Sequence, residues 1–357
     1  MAPQSDRSDY NNCASRRPLA CNTVCQPAAA CLRYNLTALM HGKQAVFLYT
    51  CPPVSLFHID LRLAFYSPVM PERPPRTTQS IRRYYEQNTR LFFALGSSPA
   101  TYSIHRALWM EEIETQDDAL NASNRLLLAG AQGINASGCL RLLDLGCGIG
   151  GTLFYLLERL PKPALGVGLT ISPIQARLAW RRACQLGLDR SCLFVEADFL
   201  APPLPVGFDL VYSVEAFAHA VDPQRYFAQA ARLLHPGGRL ILIDDFLAQS
   251  PVSGQQHPAR WLDAYRHGWH TPNLCAPAQV VDLALSYGLH LSQEIDLTPH
   301  LRLRALPAAL ASALLSLGER LPIRHAILPS MLGSMALQQC LKQGWIRYRL
   351  LCFERGE

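Results

Sequence analysis

The sequence predicts an α/β domain built on a mostly parallel β-sheet. Three observations carry this reading. Short apolar runs alternate with helix-patterned segments of roughly 10–15 residues, the signature of βαβ units. A glycine-rich loop, Asp144-Leu145-Gly146-Cys147-Gly148-Ile149-Gly150-Gly151, directly follows the first run. Carboxylates follow three later runs, at Asp198, Glu215 and Asp244-Asp245, where a parallel sheet gathers its ligand groups along one edge.

The elements follow in order. Residues 1–76 mix Cys, Pro, Asn and Ala without a sustained period and are expected to form a poorly ordered tail, with Met70 as an alternative start. Residues 77–135 are expected to form an N-terminal helical cap segment, with helical spacing over 78–95 that stops at Gly96, and again over 117–130. Strand patterns follow at 140–145, 165–169, 192–196, 209–214 and 239–243, with helices at 152–160, 173–186 and 224–234 between them. Pro236-Gly237-Gly238 reads as a tight turn before the fifth strand. A helix-rich piece over 258–287, a strand at 290–296 and a helical stretch over 307–321 come next, and 347–353 is expected to be an antiparallel edge strand. The main domain is therefore expected to run over 136–357, with a helical insertion at about 250–345.

Composition narrows the function classes. The chain has 357 residues, 49% of them hydrophobic and 17% charged, enough for a substantial core. Its net charge of +6 is spread along the chain without a basic run, which argues against nucleic acid as a partner. The twelve cysteines form no CxxC pair, so a zinc or thioredoxin-like site has little support and packed free thiols in a reducing compartment are expected. The N-terminus lacks an early apolar run of the secretory kind, and the apolar stretch 45–70 is broken by prolines and charges. A cytoplasmic location with no integral membrane segment is expected, and the oligomeric state is left open. His257, His267 and His270 lack acid spacing, and no metal site is predicted.

The glycine loop is ambiguous alone, because Gly146, Gly148 and Gly151 also fit the dinucleotide pattern GxGxxG. Asp144 decides against it: placed two residues before the first glycine, it would meet a cationic amino group but repel a pyrophosphate. About 20 residues on, where a dinucleotide site needs an acid, the chain reads Gly168-Leu169-Thr170-Ile171. Asp198, after the third strand, is placed to accept from an adenine amino group.

At these residues the chain resembles the class I S-adenosylmethionine-dependent methyltransferases over about residues 80–357. The segments 143–151, 196–199, 208–215 and 234–240 resemble that family's motifs. The resemblance implies a Rossmann-like seven-stranded sheet, mostly parallel with an antiparallel last strand, under a helical cap. It implies S-adenosyl-L-methionine as cofactor, held by Asp144, Gly146, Cys147, Gly148, Gly150, Thr170, Ile171, Gln175, Asp198, Phe199 and Glu215. The form Gly168-Leu-Thr-Ile-Ser172 with Gln175 is similar to the cyclopropane fatty acid synthase, sterol and tocopherol methyltransferase group, where Thr170 and Gln175 would replace the usual carboxylate. Glu215 and His219 match the sterol and tocopherol branch. The bicarbonate-holding glutamate of cyclopropane synthases aligns with Ala218, which argues against cyclopropanation.

Catalysis is expected from Glu215, His219 and Asp245, with Asp244 a fourth candidate base. Structural readings stand beside these: Glu215 as an ordering group, His219 as a packing histidine, and either aspartate as a loop cap. Tyr84, Tyr85, Phe217, Trp261 and Tyr265 are expected to line the substrate pocket, although Trp261, Tyr265 and Trp269 also fit an ordinary core stripe at i, i+4, i+8. The expected reaction is methyl transfer to a small lipophilic acceptor at carbon, such as an isoprenoid, sterol-like or aromatic metabolite. O- or N-methylation of a natural product or sugar is the alternative. A non-catalytic cofactor-sensing module and an NAD-dependent oxidoreductase are two further readings.

Overall fold

Seven strand-forming segments pair into a single sheet in the computed structural model, which describes residues 77–96, 101–102, 105–134, 138–248, 258–304, 306–320 and 327–356. The expectations for residues 1–76 and Met70, and the histidine at 257, lie outside the described residues.

The strands are β1 (Leu140–Leu145), β2 (Ala164–Thr170), β3 (Cys192–Glu196), β4 (Phe208–Val214), β5 (Leu234–Leu247), β6 (Leu289–Asp296) and β7 (Ile346–Arg355). Their spatial order is β3-β2-β1-β4-β5-β7-β6. The first five are parallel, and β7 runs antiparallel to both β5 and β6. The expected sheet, mostly parallel with an antiparallel last strand, is the sheet observed. The order reverses between β1 and β4, and at such a switch point the loops beyond the carboxyl ends diverge and leave a crevice.

The last strand is not at the edge as its position in the chain suggested. β7 lies between β5 and β6, and the edge belongs to β6. The reason is in the side chains: Leu350-Leu351-Cys352-Phe353 is a continuous apolar run buried on both faces, whereas Ser292, Gln293 and Glu294 of β6 are exposed. The expected turn at Pro236-Gly237-Gly238 is a bulge in β5, where pairing with β4 passes from Leu234 directly to Arg239.

The flanking helices are α1 (Thr78–Gly96), α2 (Gln116–Leu120), α3 (Ala122–Gln132), α4 (Gly151–Arg159), α5 (Pro173–Leu186), α6 (Pro223–Leu233), α7 (Pro258–Trp269), α8 (Pro277–Leu285), α9 (Ala308–Arg320) and α10 (Ile327–Lys342). Local chemistry sets their starts. Ser172 and Asp222 accept from the backbone N–H of Gln175 and Arg225, and Pro173 and Pro223 occupy the first helical positions. Alternation along the strands divides the core. Leu143 and Leu145 face α6 and α8, while Leu140 and Leu142 face α3, α4 and α5. Each such fully buried leucine contributes roughly 1.5–3 kcal/mol relative to exposure.

A third cluster, including Tyr265, Leu315, Leu337 and Cys340, forms the cap. There α7 and α10 touch through glycines: a Cβ on Gly268 would lie 2.6 Å from the Cα of Gly333. Within the stretch 250–345, the strand expected at 290–296 is β6 and belongs to the sheet.

Candidate active site

The crevice at the switch point is a cavity of about 920 Å³ between the carboxyl edge of the sheet, α1 and the cap. Of the residues expected to hold the cofactor, Asp144, Gly146, Cys147, Gly148, Thr170, Ile171, Gln175, Asp198, Phe199 and Glu215 line it. The expectation for Gly150 needs correction. It does not line the cavity; its φ of +89° starts α4, and an added Cβ would lie 2.9 Å from the Phe154 and Phe194 rings. It is a turn and packing glycine.

Three features of the β1 end could suit a cationic ligand. Gly146 has φ +104°, and a Cβ there would lie 2.4 Å from that of Ala216, so only glycine keeps this floor open. Asp144, 3% exposed, has no cationic partner among the described residues. Burial pushes its carboxyl up to about 8. A cation delivered to the cavity would favour the ionised form of this carboxyl. Beside it, the Thr170 hydroxyl donates to Gln175 Oε1 at 2.6 Å, and the Ser172 N–H donates to Thr170 Oγ1 at 3.2 Å, which fixes both side chains at the end of β2. Asp198 accepts from the Leu200 N–H at 2.8 Å and turns the loop after β3.

The three carboxylates at the ends of β4 and β5 are already engaged. Glu215 adopts the left-handed conformation (φ +50°), rare for a residue with a side chain. Its Oε1 accepts from the Arg106 backbone N–H at 2.8 Å and from the Tyr348 hydroxyl at 2.9 Å. Arg106 Nε lies 3.4 Å from the same oxygen. Burial opposes the charge, but Arg106, and then His105, hold the carboxyl below the usual carboxylate range. Asp245 takes both terminal nitrogens of Arg106 at 2.8 Å each, and accepts from Tyr265 Oη at 2.7 Å. The guanidinium carbon also sits 4.1 Å from the centre of the Tyr348 ring. Asp244 accepts from the N–H groups of Ala218 and Asp245 at 3.0 and 2.8 Å. Burial, with Asp245 beside it, raises its carboxyl to about 7. Glu215 and Asp245, expected as bases, instead anchor Arg106 and the segment it belongs to over the cavity.

His219 is different. Its Nδ1 lies 3.0 Å from the His270 carbonyl, which can only accept, so the proton sits on Nδ1. Nε2 is left to accept from the Tyr85 hydroxyl at 2.7 Å. Burial lowers the imidazole pKa and raises that of the phenol, so both are neutral near pH 7. Tyr85, His219, Asp245 and Tyr265 all line the cavity. Thr271 lines it too, with a buried Oγ1 that has no partner among the described residues.

Three residues expected to line the substrate pocket do not. Phe217 is 2% exposed and packs against Tyr226, Phe227 and Phe246 in the sheet core. Tyr84 is buried behind the wall, where its hydroxyl accepts from Ser330 Oγ at 3.2 Å. Trp261 packs against the cap cluster. The register explains each: the neighbour one turn or one residue away, Tyr85, Ala218 or Tyr265, points to the cavity instead. Arg106 is the residue that sequence reasoning missed. The signal was a charge imbalance, since three carboxylates at adjacent buried strand ends require a cation.

Comparison with known proteins finds similar sequences and structures. Residues 143–242 match the family described as a methyltransferase domain. That segment is similar to a methyltransferase domain. The chain is 28% identical to a probable tocopherol O-methyltransferase of Oryza sativa, over 57% of this chain and 52% of that one. It is 35% identical to the 27-O-demethylrifamycin SV methyltransferase of Amycolatopsis mediterranei, over 42% and 54%. To the 24-methylenesterol C-methyltransferase 2 of Oryza sativa it is 29% identical, over 48% and 45%. The match thus spans about half the length of these curated relatives. Among solved structures, the geranyl diphosphate C-methyltransferase of Streptomyces coelicolor superposes with a TM-score of 0.59 at 20% identity, over 79% of this chain and 100% of that one. A cyclopropane synthase of Mycobacterium tuberculosis gives 0.60 at 22%, over 76% and 98%. The chain shares the fold of these solved structures. The residues present fit S-adenosylmethionine: the glycine floor has no room for side chains, and buried Asp144, which interacts with the Tyr212 hydroxyl but has no cationic partner among the described residues, suits an ammonium group. Among the described residues no helix is long and apolar enough to cross a membrane, and no cluster of metal-ligating side chains is found.

Proposed function

We propose that this protein binds S-adenosylmethionine in the switch-point cavity and transfers its methyl group to a small lipophilic acceptor, at carbon. The observation that carries the proposal is the shared cavity. Asp144 and the glycine floor open onto the same space of about 920 Å³ as Tyr85, Tyr265, Trp269 and Leu337. That volume is near the upper end for small-molecule sites and holds a cofactor and an acceptor together. The tocopherol, methylenesterol and demethylrifamycin methyltransferases among its relatives support an apolar acceptor.

When bound, the cofactor supplies an activated methyl group on a sulfonium. The protein's own residues do the rest. Asp144 takes the ammonium end, the backbone of Gly146–Gly148 borders the amino-acid portion, and Thr170 with Gln175 and Asp198 with Phe199 hold the nucleoside. Arg106, clamped by Glu215 and Asp245, fixes the segment above the site and keeps water out. Tyr85 and His219 move the proton: as the acceptor's proton reaches Tyr85 Oη, the phenol's own proton passes to His219 Nε2, and the His270 carbonyl supports the imidazolium through Nδ1. Aromatic faces at Tyr265 and Trp269 favour positive charge developing on the acceptor.

One observation favours a second reading, O-methylation. The unpartnered Oγ1 of Thr271 offers a hydrogen bond to a hydroxyl-bearing acceptor, and the same relay deprotonates a hydroxyl. The test is incubation of the full chain with methyl-deuterated S-adenosylmethionine and metabolite extract of the source cells. Trideuteromethyl label on carbon in an organic-phase product is expected. Label on oxygen supports the second reading, and label confined to water-soluble products, or none, overturns the proposal.

A further inference from the structure

The cavity carries positive charge that methyl transfer to a neutral acceptor does not use. Residues 301–304 run along its rim with Leu301 and Leu303 partly buried and Arg302 and Arg304 exposed, and all four line the cavity. Arg106, the other arginine there, is neutralised by Glu215 and Asp245. Arg302 and Arg304 have no acidic partner among the described residues.

The Arg302 guanidinium and the Arg304 backbone are held in place. The Arg302 guanidinium stacks on the Trp109 ring, 3.3 Å from its centre, and the Trp109 backbone N–H donates to the His300 carbonyl at 2.8 Å. The Arg304 N–H donates to Gln338 Oε1 at 2.8 Å on α10. Sheet order separates this end from the cofactor end. The loop follows β6 at one edge of the sheet, whereas Asp198 follows β3 at the other. The lining of the same cavity includes the apolar side chains of Trp269, Leu337 and Leu341.

We propose that Arg302 and Arg304 bind an anionic head group of the acceptor, a phosphate or a carboxylate, while its apolar body lies in the cavity against Trp269, Leu337 and Leu341. The inference rests on the lipophilic-acceptor reading above and narrows it to anionic amphiphiles. Guanidinium groups pair with both oxyanions through two-pronged hydrogen bonds, and exposed pairs of this kind weaken with salt.

Calorimetric titration of the full chain tests it with decyl phosphate, decanoate and decanol, each below its micellar concentration. At least one anion is expected to bind about tenfold tighter than decanol at low salt, with the gap narrowing as salt rises. The double variant R302Q/R304Q is expected to close the gap while leaving decanol and S-adenosylhomocysteine affinities unchanged; R302K/R304K is expected to keep part of it. Equal affinity for anions and alcohol, or a gap that survives in R302Q/R304Q, overturns the inference. Absence of S-adenosylhomocysteine binding would instead sink the methyltransferase reading, and the anion preference is read without it.

Discussion

His219 accepts from the Tyr85 hydroxyl at Nε2, 2.7 Å away, while its Nδ1 faces the His270 carbonyl at 3.0 Å. Tyr85 comes from α1 and His219 from the turn after β4, so a proton relay spans two segments 134 residues apart. Removing either end, as Tyr85→Phe or His219→Gln, is expected to slow single-turnover methyl transfer by about 100-fold or more, within the span of general-base contributions. Cofactor affinity should be unchanged. Loss of cofactor binding alongside turnover would make the pair structural.

The same pair sets a pH limb. The relay needs a neutral imidazole, and burial lowers the His219 pKa from 6.5. The base form therefore persists below pH 6.5, and the acid limb of the single-turnover rate belongs there. An acid limb above pH 6.5 would show that another group titrates in the reaction.

Arg106 and Asp245 form a buried two-pronged pair, with the Asp245 side chain 1% exposed. Removing one partner leaves an uncompensated charge. Asp245→Asn is expected to cost about 3 kcal/mol, the low end for such losses because Glu215 still faces Arg106. Chemical denaturation measures this. A cost under about 1 kcal/mol would mean that the pair is solvated.

Gly146→Ala places a Cβ 2.4 Å from that of Ala216 and demands a φ of +104° of an alanine. It is expected to lower cofactor affinity by at least about tenfold, because the floor must shift into the ligand's space. Unchanged affinity, measured by titration with S-adenosylhomocysteine, would place the ligand elsewhere.

Much of this architecture was legible in the chain because it rests on local chemistry. Short apolar runs marked the strands, helical spacing marked the segments between them, and the glycine loop located the crevice. What the sequence hid was non-local. The place of β7 depends on which strand carries the polar face, and it became clear only once Ser292–Glu294 and Leu350–Phe353 were seen side by side. Arg106 meets Glu215 and Asp245 across 109 and 139 residues, a contact that no local pattern encodes. Phe217 and Tyr84 failed as pocket residues for a simpler reason. An aromatic side chain marks burial, but one residue of phase decides between core and cavity.

The central claim is that Asp144 holds the cofactor's ammonium group. In the free protein burial keeps this carboxyl at about 8, so near pH 7 it is mostly protonated. An ammonium partner stabilises the ionised form, so binding at pH 7 should release close to one proton, and affinity should rise with pH towards 8. Titration of S-adenosylhomocysteine into the full chain at pH 7, in buffers of different ionisation enthalpy, measures this directly. The account predicts proton release that disappears in Asp144→Asn, together with an affinity loss of roughly 10- to 100-fold. Wild-type affinity in Asp144→Asn, with proton release unchanged, would contradict it.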